Sequence, residues 1–222
     1  MKLRNMVLAL CLSDTASLNE RINDARDVVR QIMITPDKAI PNGIARQATC
    51  VGVIPSVKKA AFIVGASYGQ GVVTCRTRSG WSAPVFIRLA GGSFGFQIGG
   101  QATDLVLVAV NDKGFQDLLK SKFKIGADAA AAVGPVGRNA AAATDLKLNA
   151  ELLTYSRSKG VFAGVDLNGA VVSQNTDDTN AFYGGHAGDF EHILHGNVPV
   201  PASAKPFVAA VGRYFRAAHA GQ

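Results

Sequence analysis

The residues with the plainest chemical potential are two glycine-framed serines and a group of histidines. Gly65-Ala66-Ser67-Tyr68-Gly69 and Gly91-Gly92-Ser93-Phe94-Gly95 both carry the G-x-S-x-G spacing of a hydrolase nucleophile. That spacing activates a serine only where a strand turns sharply into a helix and exposes the hydroxyl beside backbone amides. Here strand-like text follows each serine, Val72-Val73-Thr74 in one case and Phe96-Gln97-Ile98 in the other, and 24 glycines make chance matches common. Gly91 to Gly100 is also no phosphate loop: Ser93, Gly95, Gln97 and Gly99 alternate with Phe94, Phe96 and Ile98, which is the period of a strand. His186, His192 and His195 stand with Asp189 and Glu191, and imidazole with carboxylate suits zinc or another transition metal. Gly184, Gly185, Gly188 and Gly196 make that segment turn-rich, and no ligand geometry can be read from it. The chain is therefore expected to be no enzyme and to hold no metal or cofactor, with a metal-dependent enzyme at His186/His192/His195 as a secondary alternative.

A second kind of chemistry is electrostatic. The net charge of +7 comes from 23 basic and 16 acidic side chains. From Lys38 to Thr103 there are seven basic residues, Lys38, Arg46, Lys58, Lys59, Arg76, Arg78 and Arg88, and no Asp or Glu, which leaves 16 against 16 elsewhere. A field of one sign attracts anionic surfaces, and each Lys or Arg held near an anionic membrane is worth about 1 kcal/mol. Trp81 lies between Arg76/Arg78 and Arg88 in the turn-like Ser79-Gly80-Trp81-Ser82. An aromatic ring beside basic residues suits a membrane interface, and equally a core tryptophan at the start of a strand.

These residues must be positioned by one fold. At 222 residues, 48% hydrophobic and 18% charged, with no linker-like stretch, the chain can bury a sizeable core in a single domain. The spacing of Leu18, Ile22, Ala25, Val29 and Ile32 predicts a helix over 14–33, stopped by Pro36, with a short helical piece after Pro41. Strands are expected at 51–54, 61–67, 71–76, 84–89, 93–98 and 105–110, mostly joined by short turns and so largely antiparallel. Asn111 or Asp112 is placed to cap a helix over 113–122. Val161 to Leu167, Asn168-Gly169 and Ala170 to Ser173 read as a hairpin, because Asn-Gly readily takes the positive φ of a two-residue turn. Phe207, Val211, Tyr214, Phe215 and Ala218 predict an amphipathic helix over 203–219. The class is α+β, one domain with a largely antiparallel, strongly bent or partly closed sheet flanked by an N-terminal and a C-terminal helix.

Three cysteines, Cys11, Cys50 and Cys75, give an odd count without C-x-x-C spacing. Cys50 and Cys75 are read as buried free thiols in neighbouring strands, with pairing in an oxidising compartment as the alternative. Residues 1–13 have the charge order of a signal peptide around an apolar run at the short limit, a candidate signal or anchor segment ahead of a domain over 14–222. Export or association with the cell envelope is weighed against a cytoplasmic, membrane-peripheral location. The longest apolar stretches, such as Leu105 to Val110, fall far short of the roughly 20 residues of a membrane-spanning helix.

Longer blocks carry a resemblance. Ile54-Pro55-Ser56-Val57-Lys58-Lys59-Ala60-Ala61-Phe62, Gly80-Trp81-Ser82-Ala83-Pro84, Gly95-Phe96-Gln97-Ile98-Gly99, Thr103-Asp104, Gly134-Pro135-Val136-Gly137-Arg138 and Tyr155-Ser156-Arg157-Ser158-Lys159-Gly160-Val161-Phe162-Ala163-Gly164-Val165 resemble, in order, the blocks of the SYLF domain, in the style of its bacterial branch. They span roughly residues 20–184. The resemblance implies a lipid-binding domain whose eukaryotic relatives bind phosphoinositides, whose yeast relatives also bind actin, and for which no catalytic residues are known. Glu20, Asp24 and Asp27 offset Arg21, Arg26 and Arg30 on the first helix, which moves the expected lipid contact to the central basic window. The candidate site is Lys58, Lys59, Arg76, Arg78, Trp81 and Arg88, binding anionic phospholipid headgroups. An actin-type or envelope protein partner on the same basic face is the alternative, and no nucleic acid is expected.

Overall fold

The computed structural model describes residues 2–35, 39–61, 65–93, 102–137, 150–158, 161–164, 167–185 and 188–216. Helix α1 (Lys2–Ile34) is followed by the short α2 (Asn42–Gln47) and then by strands β1 (Cys50–Ala61), β2 (Gly65–Thr77), β3 (Gly80–Trp81), β4 (Val85–Ser93) and β5 (Ala102–Ala109). Next come α3 (Asp112–Leu119), β6 (Lys122–Lys124), β7 (Ala131–Val133), β8 (Leu152–Ser158), β9 (Val161–Gly164) and β10 (Val171–Gln174). The chain closes with α4 (Thr176–Tyr183), α5 (Phe190–Leu194) and α6 (Lys205–Tyr214). The class is α+β, as the sequence predicts.

The strands form one sheet in the order β6-β10-β4-β2-β1-β5-β8-β7, with β3 on β2 and β9 on β8. All pairings are antiparallel except β7 with β8. The first and last strands of that order are consecutive in the chain, joined by residues 125–130. Six residues reach at most about 20 Å, so the two ends of the sheet must curl toward each other. The curl separates two apolar layers. Val51, Val53, Val106 and Val108 face α1, α2 and α6, whereas Cys50, Ile54, Leu105 and Leu107 face the interior of the curled sheet with Phe123, Val172 and Phe190. Strands buried on both faces read as near-continuous apolar runs, which is why Leu105 to Ala109 shows no polar alternation.

The predicted α1 stripe holds: Leu18, Ile22, Ala25, Val29 and Ile32 are all buried. Asn111 caps α3 by accepting from the Gly114 amide at 2.8 Å, and the helix ends at Leu119, earlier than predicted, because Phe123 is drawn into the interior between exposed Lys122 and Lys124. In α6, Phe207 and Val211 are buried and Phe215 follows the last turn into the same core; Ala218 lies outside the described residues.

Three expectations are corrected. The strand expected at 61–67 is divided between two antiparallel strands, with β1 running to Ala61 and β2 starting at Gly65; residues 62–64 lie outside the described residues. A bulge in β1, where Ser56 has φ 51°, shifts the register, and β2 passes so close that a Cβ on Gly71 would lie 2.1 Å from the Val53 carbonyl oxygen. The bulge is held by buried Asp104, which accepts from the Ser56 amide at 2.9 Å and from Arg157 Nε at 2.7 Å. Second, Asn168-Gly169 does turn, with Gly169 at φ 87°, but the flanking strands do not pair: β9 joins β8, and β10 lies between β4 and β6. The turn is a local preference, whereas Val172 finds its buried place only across the closing sheet. Third, Cys50 and Cys75 are joined as a disulfide between directly opposed residues of β1 and β2. The strand expected at 93–98 begins where β4 ends, at Ser93, and its remainder lies outside the described residues.

Tyr155 is fully buried with its ring against Gly134, where a Cβ would sit 2.2 Å from Cζ, and among the described residues its hydroxyl has no hydrogen-bond partner. Burial pushes that hydroxyl's pKa up. Replacing Tyr155 by Phe removes an unpaired buried polar atom and keeps the ring, so stability in urea is expected to hold or to rise by about 1 kcal/mol. A loss of that size instead would show that the hydroxyl is bonded in solution.

Candidate binding site: a basic groove

Arg76, near the end of β2, turns its side chain inward. Its Nε donates to the Ala48 carbonyl at 2.9 Å, an Nη donates to the Phe215 carbonyl at 2.8 Å, and the guanidinium lies 4.7 Å from the Trp81 ring centroid. Trp81 is 9% exposed and meets Phe215 edge-on at 6.2 Å. The tryptophan is thus a pillar of the core beneath the arginine. Burial lowers the Arg76 pKa, but a guanidinium starts so high that it stays cationic at neutral pH. Arg78 follows in the exposed β2–β3 turn.

These two arginines border an open groove of about 750 Å³, which Thr49, Ser79, His195 and Asn197 also line. Asp112 brings a carboxylate to its wall, yet among the described residues neither arginine forms an ion pair. Further basic residues stand close by in the chain. Exposed Arg46 precedes Ala48 by two residues, and exposed Arg213 and Arg216 flank Tyr214 and Phe215, so both segments that receive the Arg76 hydrogen bonds carry extra positive charge. The arrangement offers planar donors and hydroxyls in an open trough, a geometry suited to a phosphate or carboxylate oxygen.

The six residues singled out from the sequence do not share this site. Lys58 is exposed beside a smaller cleft of about 250 Å³ that it shares with Glu20, Arg21, Asp24 and Tyr68. Lys59 is paired to Ser67 in the strand ladder, and its side chain lies outside the described residues. Arg88 reaches Asp177 at 3.5 Å, opposite Gln70, which accepts from Arg21 at 2.9 Å. Gln70 and Arg76 are six residues apart along β2, about 20 Å at strand rise. The acid-free window is therefore split: Arg76 and Arg78 stand at one end of the sheet, and Lys58 and Arg88 beside the middle of α1. Lys38 lies outside the described residues.

Arg213 and Arg216 lie outside the acid-free window of 38–103 and are not singled out by it, and His195 reads from the sequence as a metal-ligand candidate and not as a groove residue. The signal available was the position of Arg213 and Arg216 at the end of a strongly amphipathic helix.

The other motifs are placed as follows. Ser67 lies inside β2 and donates to the Gly91 carbonyl at 3.1 Å, so it occupies no strand-to-helix elbow. His192 is exposed on α5, and His195 Nδ1 lies 2.8 Å from the Glu191 carbonyl oxygen; His186 is outside the described residues. Among the described residues no three His, Cys, Asp or Glu side chains converge as metal ligands. No helix there is long and apolar enough to cross a membrane.

Fold and groove together define an α+β protein with a curled sheet and a cationic trough at one end. The sequence pattern of a family described as Ysc84, Las17-binding protein actin regulator, matches residues 90–214. The chain is 37% identical over 172 residues to SH3 domain-containing YSC84-like protein 1 of Homo sapiens and of Rattus norvegicus, covering 77% of this chain and 50% of each relative. Protein YSC84 of Saccharomyces cerevisiae is 31% identical over 176 residues, 78% of this chain and 37% of the yeast protein. This chain belongs to the Ysc84, or SYLF, family. It spans about half the length of the mammalian relatives it matches.

Proposed function

We propose that this chain is a non-catalytic binding module that attaches reversibly to anionic phospholipid at a membrane surface. The observation that carries the proposal is the pair Arg76 and Arg78, two guanidinium groups that form no ion pair among the described residues, on the wall of an open groove. In this reading Arg78 makes the direct headgroup contact. Arg76 supplies fixed positive potential from below, and Arg46, Arg213 and Arg216 add long-range attraction. With about 1 kcal/mol for each basic residue near the surface, five give useful but reversible attachment.

Liposome flotation of the purified chain tests this. Binding to vesicles containing phosphatidylserine but not to neutral vesicles, weakened between low and near-physiological salt, is the expected result. No flotation on either vesicle at low salt would overturn it.

A second reading has its own support. The family is described as Las17-binding and actin-regulating, and relatives carry the YSC84 name beside an SH3 domain. The same groove would then receive an acidic protein segment, and cosedimentation with actin filaments without vesicle binding would favour that partner.

A further inference from the structure

We propose that Cys50 and Cys75 are a positioning pair for the basic groove, holding Arg76 in its binding-competent place; the functional part of this proposal rests on the anionic-surface reading above. The two cysteines are direct partners in the β1–β2 ladder, both fully buried, with Cα atoms 4.0 Å apart. Cys50 is the first residue of β1, so the cross-link closes the ladder at the end where a strand pair would otherwise fray.

The adjoining residues are the groove itself. Thr49 and Arg76 both line it, and the Arg76 amide donates to the Thr49 carbonyl at 2.7 Å. Ala48, one residue further, accepts the Arg76 side chain. On the other side, Cys75 exchanges bonds with Ser82: the Ser82 amide donates to the Cys75 carbonyl at 2.8 Å, and the Cys75 amide donates to Ser82 Oγ at 3.0 Å. Positions 48–49 and 75–76 are thus tied together through one covalent bond, and the guanidinium direction follows from theirs. Reduction by a soluble dithiol replaces the S–S bond with two S–H groups and leaves the dithiol as a cyclic disulfide. Two uncrosslinked thiols must then move apart to van der Waals contact inside a packed layer, which shifts the start of β1.

Three measurements on the full chain test the pair. Thiol alkylation of the unfolded chain without reductant, read by mass spectrometry, is expected to label Cys11 and neither Cys50 nor Cys75; labelling of all three cysteines overturns the proposal. The double variant Cys50→Ala/Cys75→Val keeps an apolar pair without the bond. It is expected to bind phosphatidylserine vesicles about three- to tenfold more weakly than the oxidised chain, roughly 0.6–1.4 kcal/mol. Hydrogen exchange at the Arg76 amide is expected to quicken about tenfold, with Leu107 in the adjoining β5 unchanged. Equal binding and equal exchange would overturn the brace. Should the double variant not fold, wild-type chain reduced by dithiothreitol in mild urea and returned to buffer gives the same comparison. If the oxidised chain binds no vesicle, the anionic-surface reading fails by itself, and the Arg76 exchange rate still decides whether the disulfide positions the arginine.

Discussion

Arg78→Glu is expected to lower binding to phosphatidylserine vesicles by about 30-fold at low salt while leaving the urea unfolding midpoint unchanged. The substitution removes one favourable charge and adds one unfavourable charge at the surface, about 1 kcal/mol each, and 2 kcal/mol is roughly a factor of 30. Stability is spared because Arg78 is exposed in a turn and makes no ion pair among the described residues. The paired control is Lys58→Glu/Lys59→Glu, at the other end of the sheet, which is expected to change binding less than threefold once long-range attraction is screened near physiological salt. If the lysine variant loses as much as the arginine variant, the contact face is the cleft beside α1 and the groove is not the site. If neither variant changes binding, electrostatic attachment through these residues is wrong.

Trp81→Ala is expected to destabilise the chain by about 3–5 kcal/mol in equilibrium urea unfolding, as for other large aromatic truncations in a packed core. Three contacts are lost together: the edge-on Phe215 ring at 6.2 Å, the Arg76 guanidinium at 4.7 Å, and the surface against which Gly212 of α6 packs. Removing the ring also leaves Arg76, which is half-sunk beneath the surface, over a cavity. Vesicle binding of the folded fraction should fall as well, since Arg76 loses its platform. The discriminating result is stability. A variant that unfolds at the wild-type urea concentration but no longer binds vesicles would place the tryptophan at the membrane interface and remove it from the core.

Local pattern in the sequence was enough for the elements whose partners are themselves local. The α1 stripe, the Asn111 cap, the Asn168-Gly169 turn and the apolar strand text all follow from spacing and side-chain type, and so does the mixed α+β class. The ordered blocks that carry the family resemblance were likewise present in the sequence. The acid-free window draws notice to Arg76 and Arg78 in the sequence, because unopposed charge within a contiguous stretch needs no fold to be noticed.

What only the tertiary structure decided was which strands pair and which charges meet. β10 leaves its neighbour in sequence for β4 and β6 because burial of Val172 in the interior outweighs the proximity that a two-residue turn provides. Cys50 and Cys75, 25 residues apart in the chain, became partners through register; the bulge between Val53 and Lys58 changes that register by one, and such a shift at the cysteines would turn the thiols to opposite faces. Charge is summed in space and not along the chain. The β2 strand carried Arg76 about 20 Å from the Gln70–Arg88 pair, while α6 and the residues just after it brought the segment of Arg213 and Arg216 from the far end of the sequence to the Arg76 side chain, which bonds the Phe215 carbonyl. A window of like charges can fix the sign of a surface, but only the path of the strands determines where that surface lies.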